Sequence, residues 1–292
     1  MRRIHIVAVS LVAAVLCLPS RSSWAQVSSP PDLRNANIAV DYYEPRDPDF
    51  LALYEKLKRR QVLEELAQFL APVRWPKTLR LLMKECPASG MPTPEVFYSP
   101  IEYSITLCYQ WLKFLHKFNP PDSFATRQEV IVGGLVGIVL HEAGRAAFDM
   151  LKVPRLGAED DAADQIASYV GLQFGKEVAQ TVIKGTYYVW DTYDYYIRAG
   201  NSQYNFAAKS SLPPQRAYNT LCIAYGGDPE TFKRAVDQGL LDRVLSPGRA
   251  SNCADEYRQV AKAFDRTIKP HVDLELMKKV RSMTWVTPDD LQ

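Results

Sequence analysis

The sequence predicts an α+β fold in which a small N-terminal β-sheet is followed by a mostly helical region. Two observations carry this reading. The segments "KTLRLLMKEC" and "YSITLCYQW" are short apolar runs separated by glycine and proline punctuation, as strands are. From Arg127 onward the apolar residues recur almost entirely at helical spacing. Strands first and helices afterwards, without alternation, describe α+β and not a doubly wound sheet.

The chain opens MRRIHIVAVSLVAAVLCLPSRSSWAQ, where Arg2 and Arg3 precede an apolar run from Ile4 to Leu18 and the polar stretch after it closes on Ser23-Trp24-Ala25. That order predicts a secretory signal peptide over residues 1–25, cleaved after Ala25. The run falls short of the roughly twenty residues that a spanning helix needs. A lipid anchor on Cys17 is disfavoured because Leu16 stands where a small residue is usual. The expectation is an exported protein, periplasmic or extracellular, with one domain over residues 26–292. The longest later apolar run, Val130 to Leu140, is too short to span and reads as a buried helix.

Cleavage takes three arginines and no acid from a total of 35 basic and 33 acidic residues, so the mature charge is close to balanced. No general attraction to nucleic acid or to an anionic membrane follows. Four cysteines remain, Cys86, Cys108, Cys222 and Cys253, an even number that in an exported chain points to two disulfides. Three pairings are open, of which the sequential one closes the shortest loops. No close C-x-x-C pair is present to favour a cysteine zinc site.

In order along the chain, "NIAVDYYEP" alternates like an edge strand, and "DPDFLALYEKLKRRQVLEELAQFLAPV" has one continuous helical spacing with an acidic start and a proline stop. The two strand candidates come next. Helices are then predicted over 127–152 and 159–181, in a tyrosine-rich segment near 183–199, and near 213–225, 228–238 and 250–269. "NSQYNFAAKSSLPPQ" reads as a loop whose prolines can open the following helix. The aromatic segment "KGTYYVWDTYDYYIRAG" lacks interleaved basic residues and reads as core or groove wall, and "YGGDP" reads as a helix–helix turn.

The chemistry concentrates in "IVLHEAGRAAFD", residues 138–149. In H-E-x-x-H on a helix, two histidines one turn apart can bind one zinc ion, and the glutamate beside the first activates the metal's water. His141 and Glu142 are in place, but Arg145 stands at the position of the second histidine. A second half of the pattern follows in "VPRLGAEDDAADQIASY", where Asp160 and Asp164 lie one turn apart on the next helix. On this pattern Asp160 supplies an acidic ligand, and Asp164 orients His141 from behind. Glu159, Asp160 and Asp161 also suit the start of a helix as caps, an equally good reading of those three alone.

Together with "LYEKLKRRQVLEELAQFLAPVRWPKTLRL", "VFYSPIEYSITLCYQW", "LQFGKE", "PPQRAYNTLCIAYGGDPETF" and "CADEYRQVAKAFDRTIKPHVD", these segments resemble a family of secreted bacterial proteins with a zinc-metallopeptidase signature, catalogued as a domain of unknown function, DUF4344. The resemblance covers nearly all of the mature region. It implies a zincin-like domain with His141 as first metal ligand, Glu142 as general base, an acidic third ligand at Asp160 and Asp164 behind it. It also implies the disulfides Cys86–Cys108 and Cys222–Cys253.

The sequence departs from the family pattern at two ligand positions. Where the family has the second histidine this chain has Arg145, which keeps its proton and cannot ligate a cation. Where the family has glutamate, it has the shorter Asp160. A fixed positive charge about 4 Å from a divalent ion is disfavoured by roughly 8 kcal/mol at an effective dielectric near 20. Arg145 is therefore expected to pair with Asp160, Asp164 or Glu142 in an ion-pair network at the metal position. His116, His271 and Asp149 do not have spacings that would repair the site. The expected function is that of a non-catalytic peptidase homologue whose cleft binds a peptide or protein. The alternative is an active zinc peptidase using Glu142 as base, with zinc as the only cofactor in prospect.

Overall fold

The computed structural model describes residues 37–87, 96–116, 126–199, 204, 206–207, 209–237 and 245–283. The expected leader and its cleavage point lie outside them. β1 (Ile38–Tyr42) is an edge strand, as its alternation suggested. The single helix expected after it is two helices, α1 (Leu51–Arg59) and α2 (Val62–Leu70), preceded by a 3-10 turn at Pro48–Phe50. The chain breaks at Gln61, which takes a left-handed φ of 55°. Charge accounts for the break: Lys56, Lys58 and Arg59 close α1, while Glu64 and Glu65 open α2. Each sign suits the helix end that it occupies.

β2 (Leu79–Lys84) and β4 (Ser104–Cys108) match the two predicted strands, and β3 (Val96–Ser99) between them was not foreseen. The sheet runs β1-β2-β4-β3, parallel except for the antiparallel β3 on the far edge. The fold is thus α+β, a four-stranded mixed sheet followed by helices. The "CYQW" end of the second predicted strand turns into α3 (Tyr109–Leu115).

α4 (Arg127–Met150) carries the chemical motif and starts on a reciprocal cap between Thr126 and Glu129. By length and composition alone α4 is long and apolar enough to cross a membrane, an 18-residue window of it having a mean hydropathy of 1.4, which the run Val130 to Leu140 taken by itself did not suggest. The apolar stretch is 89% buried inside the protein, so packing explains its composition. α5 (Glu159–Gly171) ends ten residues earlier than expected, at a 3-10 turn (Leu172–Phe174) and Gly175, whose φ is 89°. α6 (Lys176–Ala199) then absorbs the tyrosine-rich segment.

Glycine lets α6 lie directly on α4. A Cβ on Gly133 would fall 1.8 Å from the Thr181 carbonyl oxygen, and one on Gly185 would fall 2.1 Å from the Gly134 nitrogen. The two backbones touch there, and His141 is buried farther along the same helix. α7 (Pro213–Gly227) begins on its prolines, α8 (Arg234–Asp237) is all that the described residues show of the helix expected over 228–238, and α9 (Pro247–Thr267) is followed by an unforeseen α10 (Leu274–Arg281). Disulfides join Cys86 to Cys108, at the ends of β2 and β4, and Cys222 to Cys253, tying α7 to α9.

Candidate functional site

α4 and α5 meet so that His141, Glu142, Arg145, Glu159, Asp160 and Asp164 gather in one place. The alignment follows from helix geometry: His141 and Arg145 share a face one turn apart, as do Asp160 and Asp164 on α5. Gly144 permits the contact, its missing Cβ lying 3.2 Å from the Cα of Ala163.

His141 is 3% exposed, and its Nδ1 lies 2.7 Å from Asp164 Oδ1. An ionised carboxylate only accepts, so Nδ1 donates to Asp164, and Nε2 at the other end of the ring lies 3.8 Å from Asp160 Oδ1. Asp164 is also gripped by Arg216 of α7, which donates from Nε to Oδ2 at 2.6 Å and from Nη2 to Oδ1 at 2.9 Å. Burial pushes the Asp164 carboxyl up, but Arg216 and His141 outweigh it and hold the group below the usual carboxylate range. The Arg216 guanidinium lies 3.5 Å over the ring of Trp190 from α6, and the same indole meets the His141 ring in an edge contact at 6.1 Å.

Glu142 is 2% exposed and accepts the backbone N–H of Tyr98 on β3 at 2.7 Å. The Tyr98 hydroxyl donates to Asp149 Oδ2 at 2.8 Å, so one residue of the edge strand holds α4 at two points. Burial raises the affinity of Glu142 for its proton. His141, Arg145 and the Tyr98 N–H pull the other way without cancelling that effect, and Asp160 adds to it.

Arg145 donates from Nε to Glu159 Oε1 at 3.0 Å and from Nη1 to Glu142 Oε2 at 3.4 Å, with Asp160 Oδ1 at 3.8 Å. Two of its three expected partners are therefore at hand, while Asp164 belongs to Arg216 and the closest acid is Glu159. Arg155 shares Glu159, with Nη1 2.5 Å from Oε2. None of the three acids at the start of α5 serves as its cap, since the N-cap is Ala158 with no side-chain hydrogen bond. Asp161 instead accepts from the backbone N–H and the hydroxyl of Ser211.

Zinc makes demands that this donor set does not meet. His141 Nε2 has Glu142 Oε1 at 3.7 Å and Asp160 Oδ1 at 3.8 Å, and the next side chain is a cation. Among the described residues no group of three or more histidine, cysteine, aspartate or glutamate side chains is arranged to hold a metal ion. Three protein ligands are the norm for a catalytic zinc, so these residues do not fit it. His116 lies at the C-cap of α3, and His271 lies in a 3-10 turn where its carbonyl accepts from the Arg74 N–H.

Sequence reasoning missed Arg216, Trp190 and the Tyr98 backbone. One signal existed for Arg216: a cation so near the start of a helix opposes the helix dipole and calls for an acidic partner.

No curated protein and no solved structure matches this chain. Residues 42–268 match the model of a family described as "Putative metallopeptidase", DUF4344. With most of its length covered by that match, the chain belongs to the DUF4344 family.

Proposed function

We propose that this chain is an exported, non-catalytic member of its metallopeptidase family, in which an ion-pair network centred on Arg145 replaces the metal and the cleft is kept for binding a peptide or protein. The observation that carries the reading is the position of Arg145: one turn after His141, hydrogen-bonded to Glu159 and within reach of Glu142 and Asp160. A metal ion there would meet a fixed positive charge and compete with it for the same carboxylates. Glu142, the general base on the family pattern, is engaged by Tyr98 and Arg145. Export rests on the leader-like residues 1–25 and the two disulfides.

A second reading, an active zinc peptidase with Glu142 as base, is favoured by one observation. Asp164 fixes His141 so that Nε2 points toward Asp160, the orientation that a ligand histidine needs. It requires Arg145 to leave its present partners.

Metal content distinguishes the two. The purified mature protein and its Arg145→His variant are loaded with zinc, desalted and assayed by mass spectrometry. We expect wild type to be empty and the variant to hold about one zinc per chain. Stoichiometric zinc on wild type overturns the proposal and makes peptidase assays the next step.

A further inference from the structure

A second concavity lies on the other side of α4. Leu140, Ala143, Gly144 and Ala147 face into it, whereas His141, Glu142, Arg145, Asp160 and Asp164 do not. Its volume is about 260 Å³, and Phe69, Ala143, Ala147, Phe264 and Met277 are among the residues of its largely apolar wall. A concave, largely apolar space between packed helices is a common form of ligand site.

The rim carries charge of one predominant sign. Lys269 is paired with Asp265 at 2.9 Å, while Arg281, at the end of α10, makes no ion pair among the described residues. Arg281 is exposed, and Leu274 of the same helix stands half-exposed at the cavity's edge. An apolar chamber with a spare cation at its mouth complements a molecule with an apolar tail and an anionic head.

We propose that this cavity is a binding site for a single-chain anionic amphiphile, its tail lying between α2, α4, α5, α9 and α10 and its head on Arg281. The site is separate from the His141 cluster and does not depend on the state of that cluster. A nucleotide or sugar is a poor fit because the wall offers few polar groups to satisfy one; Tyr169, Gln173 and the rim charges are the exceptions.

The test is calorimetric titration of the full mature protein with dodecanoate below its critical micelle concentration, beside dodecanol and dodecyltrimethylammonium, which keep the tail and change the head. Dodecanoate is expected to bind one to one, at least about tenfold tighter than the ammonium analogue. Met277→Trp, which fills the chamber, should abolish binding of all three. Arg281→Glu changes an exposed side chain without threatening the fold, and should weaken dodecanoate roughly tenfold while leaving dodecanol unaffected. Equal binding of the three heads, no saturable binding of any, or indifference to Arg281→Glu overturns the proposal. Sedimentation with phosphatidylglycerol vesicles without uptake of free dodecanoate overturns it too, in favour of a membrane-facing surface.

Discussion

His141 and Asp164 sit 2.7 Å apart with both side chains buried, and Arg216 holds the Asp164 carboxylate from behind. Truncating Arg216 would leave the Asp164 carboxylate buried without its main counter-charge. We expect Arg216→Ala to cost about 3–5 kcal/mol, read as a lower urea midpoint at unchanged slope. Asp164→Asn combined with Arg216→Gln should cost less than the two single changes added together, because the partners fail as a unit. Strict additivity would show that the two residues act independently.

The acid Glu142 supplies a pH test. Its raised pKa means that its own contribution to stability is fully present below the ordinary glutamate value, near 4.3, and is lost as pH rises through the folded-state value. Arg145 is one of the groups that limits this cost, so Arg145→Met should raise the Glu142 pKa further. The stability gap between wild type and Arg145→Met is then expected to widen from pH 4.5 to pH 8, by about 1.4 kcal/mol for a tenfold gain in the proton affinity of Glu142. A gap that stays constant over that range would mean that Arg145 acts by packing and not by charge.

What could be read in advance follows from the range of the interactions. His141, Glu142, Asp160 and Asp164 were legible because each pair is one residue or one helical turn apart, so local periodicity places the side chains. Arg216 is 52 residues from Asp164, and no local pattern joins them. Tyr98 reaches Glu142 through its backbone N–H, which every residue except proline possesses, so its identity carried no signal. β3 is four residues long, too short for alternation to register. The break at Gln61 was readable in the change of charge sign across it, but the uninterrupted apolar spacing obscured it.

The disulfide between α7 and α9 should matter for stability because it closes a loop of 31 residues. Chain entropy puts its contribution near 3.5 kcal/mol, to within about 1 kcal/mol. Replacing Cys222 and Cys253 together by serine should lower the unfolding free energy by about that amount in guanidinium titrations. An unchanged midpoint would show that helix packing alone fixes α7 on α9.

The crossing of α6 on α4 seats the motif helix, and Gly185 has no room there for a Cβ, since one would fall 2.1 Å from the Gly134 nitrogen and 2.3 Å from the Gly133 carbonyl carbon. Both neighbours are backbone, so no rotamer change relieves the clash, and α6 must move off α4. The gain in helix propensity from glycine to alanine, about 1 kcal/mol, has the opposite sign but is smaller than the strain. Gly185→Ala is expected to destabilise the protein by about 2–3 kcal/mol net, seen as a fall in Tm. Because Trp190 rides on α6 against both His141 and Arg216, its fluorescence in the folded variant should shift as well. A loss of Tm without a spectral change would place the accommodation in α4's N-terminal half, away from the site. A gain in Tm would show that the two backbones are not in contact at this crossing.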